Sequence, residues 1–234
     1  MKILILTMNL GGNAPGIVFE RLIYGLTLKN TIDVYTAKND ASLEFAESCK
    51  VFSVKYFDLH PRLKRLLINF LSFNPLDLLW AASVNKIIKK RNEKYDVVFS
   101  FISMNHYAAL EAGRRLQRNN GLWAIYSVDA IPSPEGWYKQ KWHNDRVKCL
   151  VKRNFSKADA FFSANEKMLE FEKSLFTNTK NCLFDVIYNP TQTKLIQFKK
   201  TSNYNFLYTG GIYGARKVSY LLKALKLLLL NYPT

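Results

Sequence analysis

Short runs of apolar, β-branched and aromatic residues recur along the chain. Between them lie longer stretches in which apolar residues return every three or four positions. The short runs cover residues 3–7, 32–36, 51–57, 96–101, 122–128, 160–163 and 185–188. They are apolar at successive positions, which predicts strands covered on both faces, as in a parallel sheet. The longer periodicity predicts helices near 16–29, 61–72, 76–91, 106–119, 138–155 and 166–175. Such alternation is the pattern of a doubly wound α/β domain with a mainly parallel, Rossmann-like sheet.

Two of these helices carry more information. Over 61–73, Leu63, Leu66, Leu67, Phe70 and Leu71 form one stripe, and Arg65, Asn69 and Ser72 fall opposite. Pro61 suits a first helical turn, and Asn74-Pro75 ends the helix. The following helix closes on Lys86, Lys89, Lys90 and Arg91, cations that complement its dipole. Two readings stand: the apolar stripe packs on the sheet, or the pair forms a basic amphipathic surface resting on an anionic membrane.

After Asn189-Pro190 the pattern changes. Residues 191–204 are polar and read as a linker between a first domain, 1–190, and the beginning of a second, 205–234. In the latter, a strand at 205–209 leads through Gly210, Gly211 and Gly214 to a helix from about residue 216 to 231. Its stripe of Leu221, Leu222, Leu225, Leu228 and Leu229 needs a sheet beneath it. The expectation is therefore a truncated second domain whose uncovered leucines promote a homodimer or aggregation.

Charge narrows the partners. Thirty-four Lys and Arg against eighteen Asp and Glu leave +16 over 234 residues, which favours phosphorylated small molecules, anionic lipid or nucleic acid. Cys49, Cys149 and Cys182 have neither disulfide nor zinc spacing and suit a reducing cytoplasm. The apolar start is too short for a signal peptide, and residues 66–84 are interrupted by Asn69, Asn74, Pro75 and Asp77. A cytoplasmic protein, soluble or peripheral on the inner face of the membrane, is expected. The aromatic and basic stretch from Trp137 to Arg153 matches no recognised nucleic-acid motif, so nucleic acid is not expected as a partner.

Ligands of open parallel sheets bind at the carboxyl ends of the strands. The first such loop holds Gly11, Gly12 and Asn13 ahead of a helix, which brings backbone and helix dipole close to an anion. Asn13 stands where a dinucleotide fingerprint requires its second glycine, so that motif is excluded. A tight turn without ligand is the plain alternative. After the fourth strand, Asn105 is suited to cap the next helix, and His106 to face the cleft. After the fifth, Asp129 is placed to hold a sugar hydroxyl or act as a base, or simply to cap its loop. Gly210 and Gly211 with Arg216 and Lys217 suit a diphosphate clamp, or a basic turn. No metal-ligand cluster and no nucleophile elbow occur.

Taken in order, the segments resemble glycosyltransferase family four on the GT-B fold. The resemblance rests on Lys2-Ile3-Leu4-Ile5-Leu6 before Gly11-Gly12, Ile32-Asp33-Val34-Tyr35-Thr36 and Tyr95-Asp96-Val97-Val98-Phe99-Ser100. It continues through the run from Ser156 to Glu166, Val186-Ile187-Tyr188-Asn189-Pro190, and Phe206 to Gly211 followed by Arg216-Lys217 and Leu221-Leu222-Lys223-Ala224-Leu225. It implies retaining transfer of a sugar from a nucleotide-linked donor to an acceptor. Bacterial surface polysaccharide or glycolipid assembly is the expected setting, and the positive charge with the 61–73 helix suggests a glycan or lipid-linked acceptor. No cofactor and no obligatory metal are implied. By the resemblance, Arg216 and Lys217 neutralise the leaving diphosphate beside Gly210 and Gly211. Gly11 and Gly12 border donor and acceptor, Asp129 meets the sugar, and Asn13, Asn105 and His106 lie on the acceptor side. Val218 stands where many members carry glycine, and the paired glutamates of the donor domain are not found, so the chain is expected to be inactive alone. The other functions compatible with these residues are a non-catalytic basic module docking on a membrane or partner, and a nucleotide-sugar epimerase.

Overall fold

A computed structural model describes residues 1–57, 59–71, 73–103, 106–117, 121–133, 141–155, 157–176, 181–190 and 218–231. By contacts the chain divides into two units: Met1–Ser133 with Gln140–Thr191, and Pro134–Lys139 with Gln192–Thr234. Among the described residues of the first unit, seven strands and six helices follow one another. The order is β1 (Lys2–Gly11), α1 (Ala14–Thr27), β2 (Thr31–Asp40), β3 (Cys49–Ser53), α2 (Pro61–Leu71), α3 (Pro75–Arg91) and β4 (Val97–Ile102). It continues with α4 (Ala108–Leu116), β5 (Leu122–Ser127), α5 (Lys141–Phe155), β6 (Ala160–Ser163), α6 (Glu166–Lys173) and β7 (Leu183–Val186). The strands form one parallel sheet in the order β3-β2-β1-β4-β5-β6-β7. The doubly wound Rossmann-like class expected from the alternation is what the chain adopts.

The double-sided apolar strands find their reason in two cores. Ile3, Ile5, Ile32, Val34, Phe101 and Tyr126 point to the face that α1 covers with Phe19 and Ile23. Leu4, Leu6, Val98, Trp123, Ile125 and Phe161 point to the other, beneath α3, α4 and α5. Trp80 of α3 is 2% exposed and donates its indole N–H to the Val54 carbonyl at 3.0 Å. Asn74, far from merely stopping the previous helix, accepts from the Leu76 N–H and caps α3 ahead of Pro75. At the other end Asn92 adopts the left-handed conformation, φ 50°, that closes many helices.

Helix α2 departs from the sequence expectation. Leu63, Leu66, Phe70 and Leu71 are exposed, at 51%, 50%, 75% and 43%, whereas Lys64, Ile68 and Asn69 are buried. The helix packs chiefly on α5, and Ile68 is its side chain in the core beneath the sheet. Asn69 Oδ1 meets His143 Nδ1 at 2.8 Å, and Lys64 Nζ lies 5.5 Å from the centroid of the Tyr56 ring. Specific polar partners therefore set the rotation of the helix, overriding its apolar stripe.

In the second unit the described residues form α7 (Val218–Asn231), with Tyr220, Leu222, Leu227, Leu228 and Leu230 exposed. The segments read as linker and as the strand at 205–209 lie outside the described residues.

Candidate functional site

The sheet order reverses between β1 and β4, because the chain moves outward from β1 to β3 and then returns to start β4 on the other side. The loops leaving β1 and β4 diverge there and open a crevice at the strands' carboxyl ends. A cavity of about 240 Å³ lies in this region, lined by Met8 and Asn9 of β1, Ala37 and Lys38 of β2, Tyr56, and His106 after β4. His106, expected to face the cleft, lines the cavity, and its N–H donates to the Ser103 carbonyl at 3.2 Å.

A repeated device presents the strand ends. Thr7 Oγ1 donates to the Asn9 carbonyl at 3.0 Å, Thr36 Oγ1 to the Lys38 carbonyl at 2.8 Å, and Ser127 Oγ to the Asp129 carbonyl at 2.8 Å. All three hydroxyl residues are fully buried. In each case the hydroxyl of a buried side chain binds the carbonyl two residues on and fixes the backbone there. Asn9 and Lys38, near the end of the β1–β2 ladder, and Asp129, just past β5, are thus held in the same way. Asp129 is half-buried beyond β5 and is not among the residues lining the cavity.

The glycine loop is built for close backbone approach. Gly11 and Gly12 both have φ of 70°. A Cβ on Gly11 would sit 2.2 Å from the Asp40 carbonyl oxygen, and one on Gly12 would sit 2.5 Å from Asp40 Oδ2. These glycines therefore seat the loop on the end of β2, where Lys38 and Asp40 pair at 2.6 Å. Gly11→Ala is expected to destabilise the chain by about 2 kcal/mol or more. A lowered melting temperature checks this. Asn13 accepts from the Gly16 N–H at 2.8 Å through Oδ1 and is the N-cap of α1.

Asn105, Gly210, Gly211, Arg216 and Lys217 lie outside the described residues. α4 begins at Ala108 with Tyr107 in the cap position and no side-chain cap bond.

Sequence reasoning missed Glu172. It is fully buried on α6, reaching Ser127 Oγ at 2.8 Å and Ser163 Oγ at 2.5 Å at the ends of β5 and β6. Its Oε1 also accepts from the Ile131 N–H at 3.3 Å. Burial pushes its pKa up to about 8, against the lowering effect of these hydrogen bonds and with a further push from the Asp129 charge. Ser127 and Ser163 pair across adjacent strands, but no spacing in the sequence links them to Glu172.

Another group of perturbed side chains lies at the opposite end of the sheet. Glu93 is held down to about 2, chiefly by its bond from Lys2, with Arg91 adding to it. Tyr95 donates to Asp33 Oδ2 at 2.7 Å, and burial raises Asp33. This network ties the amino ends of β1, β2 and β4 together, away from the crevice, and is structural. Among the described residues no group of three or more His, Cys, Asp or Glu is placed to hold a metal ion.

No family model matches the chain. No curated protein matches it in sequence. Solved structures do match. The chain is similar in fold to a sucrose-phosphate synthase. That structure, from Thermosynechococcus elongatus, aligns with a TM-score of 0.57 at 12% identity, covering 80% of this chain and 48% of the synthase. The chain thus spans about half of the synthase's length. Weaker likenesses include HepE of Anabaena in complex with UDP-glucose and a UDP-N-acetylglucosamine 2-epimerase. HepE aligns at TM-score 0.47 and 16% identity, over 82% of this chain and 44% of that one. The epimerase aligns at TM-score 0.44 and 8% identity, over 78% and 47%.

Proposed function

We propose that this chain is the acceptor-side half of a retaining glycosyltransferase that uses a nucleotide-sugar donor. The observation that carries the reading is the crevice at the switch point, where His106, Asn9 and Lys38 converge on one cavity. A small cavity that sets an amide, an imidazole and one cation beside the Tyr56 ring suits a hydroxyl-rich acceptor or a sugar. The fold shared with a sucrose-phosphate synthase supports a transferase, and the net charge of +16 supports anionic substrates.

In this reading His106 and Asn9 hold acceptor hydroxyls, and Asp129 meets the transferred sugar from the end of β5. Arg216 and Lys217, beside Gly210 and Gly211, take the charge that develops on the leaving diphosphate. Neither cofactor nor obligatory metal is needed for that role. We place the acceptor among glycans or lipid-linked glycans of bacterial surface assembly, at the inner face of the cell membrane.

Calorimetric titration of the chain supplied with a complete donor domain against UDP, GDP, ADP and dTDP tests the proposal. One of the four is expected to bind, and Arg216→Ala to weaken it about tenfold or more, the loss of a charge-assisted hydrogen bond. His106→Ala should leave that affinity unchanged and lower transfer to an added acceptor. Failure of all four nucleotides to bind, or an Arg216→Ala variant that binds as well as the parent, would overturn the reading.

A further inference from the structure

The exposed face of α2 has a physical consequence independent of sugar transfer. An amphipathic helix ordinarily turns its apolar stripe to the core. Here Leu63, Leu66, Phe70 and Leu71 face outward while Lys64 and Asn69 are buried against partners. The apolar surface continues beyond the helix. Tyr56, under Lys64, is also a wall of a recess of about 320 Å³ between the segment after β3 and α3. Phe57 and Leu79 line this recess and are 64% and 60% exposed, with Lys55 and Lys86 beside them.

The charges around this surface are of one sign. Between positions 55 and 91 there are eight Lys and Arg, and only Asp58 and Asp77 oppose them. Asp77 is buried, accepting from Tyr56 and Asn74. Arg62, Arg65, Lys55 and Lys86 are exposed. Apolar side chains projecting among exposed cations, on a helix without a single acidic residue, match the headgroup boundary of an anionic bilayer. An acidic protein groove would offer charge but no counterpart to a protruding Leu-Phe stripe with so few hydrogen-bonding groups. Among the described residues no single helix is long and apolar enough to cross a membrane, and α2 has the form of a helix that lies in the interface.

We propose that the outward face of α2, with the recess beside it, docks this chain on anionic lipid bilayers, Leu66 and Phe70 inserting and Arg62 and Arg65 meeting lipid phosphates. Co-sedimentation of the whole chain with vesicles decides it. Mixed phosphatidylglycerol–phosphatidylcholine vesicles are expected to bind it, and vesicles of phosphatidylcholine alone are not. Leu66→Ser with Phe70→Ser should weaken binding about tenfold or more, and Arg62→Gln with Arg65→Gln should both weaken it and flatten its salt dependence. The serines replace exposed side chains, so unchanged melting temperatures will show that these variants fold. Equal binding to both vesicle types, or to neither, overturns the proposal. So does binding that survives the α2 changes and disappears on Leu222→Ser with Leu228→Ser in α7. Sedimentation velocity without lipid supplies the last arm: a dimer that Leu66→Ser with Phe70→Ser dissolves would assign the face to a second copy of the chain.

Discussion

Replacing Gly113 with alanine is expected to cost this chain about 3 kcal/mol or more, at the upper end of overpacking effects. Gly113 is buried in α4 where the helix crosses the sheet. A Cβ there would fall 2.2 Å from Ser100 Oγ and 2.3 Å from Trp123 Nε1. Neither neighbour can yield cheaply. Trp123 donates to Ser100 Oγ at 3.0 Å, Ser100 donates to the Ala109 carbonyl at 2.8 Å, and both residues are fully buried. Moving either breaks a buried hydrogen bond as well as the packing. Gly25 on α1 is the internal control. It is exposed, nothing lies within 4 Å of its added Cβ, and its backbone is helical. Gly25→Ala should therefore stabilise the chain by about 0.5–1 kcal/mol. Urea unfolding of the two variants should move in opposite directions. An unchanged midpoint for Gly113→Ala would mean that α4 can lift from the sheet without loss.

The parts of the fold legible in the sequence are those where burial follows hydrophobicity. Strands such as β1 and β4 are apolar at successive positions because two cores require it, so their presence was evident from composition alone. Helix α2 does not turn its apolar stripe to the sheet because its rotation is set by two side-chain contacts, Asn69 with His143 and Lys64 with the Tyr56 ring. An Asn69–His143 pair joining residues 74 positions apart leaves no periodic trace. The same holds at the crevice. His106 could be placed there because a residue following a strand has few places to go. The hydroxyl bonds of Thr7, Thr36 and Ser127 leave no trace in the sequence, since a threonine or serine in the second half of a strand looks ordinary until its partner carbonyl is seen. Glycine loops show the converse. Gly11 and Gly12 suggested room for a ligand, and the room is taken up largely by Asp40.

The second large effect is expected from pH, through Glu172. Its pKa in the fold is pushed up to about 8, above the ordinary 4.5, first of all by burial. The fold therefore keeps a proton that the unfolded chain has already released. The stabilisation is complete below pH 4.5, shrinks as pH rises, and is gone once pH passes about 8. Across that window the loss is on the order of 4 kcal/mol. The hydrogen-bond count points the same way. Ser127 has one proton, yet its oxygen lies 2.8 Å both from the Asp129 carbonyl and from Glu172 Oε1. A proton on Glu172, donated to one of the two serine oxygens, relieves that shortage. Glu172→Gln keeps the shape and removes the titration, so its stability relative to the parent should rise from pH 5 to 8 and then level off. Taking the difference between the two proteins cancels the contributions of other shifted groups such as Asp33 and His143. A flat difference would mean that Glu172 is ionised in the fold, its charge carried by the two serines and the Ile131 N–H. Because those contacts tie the segment from Asp129 to Ile131 onto the ends of β5 and β6, ionisation of Glu172 is also expected to loosen the placement of Asp129. With a complete donor domain supplied, a transferase that relies on Asp129 should then lose kcat above pH 8 in the parent but not in the Gln variant.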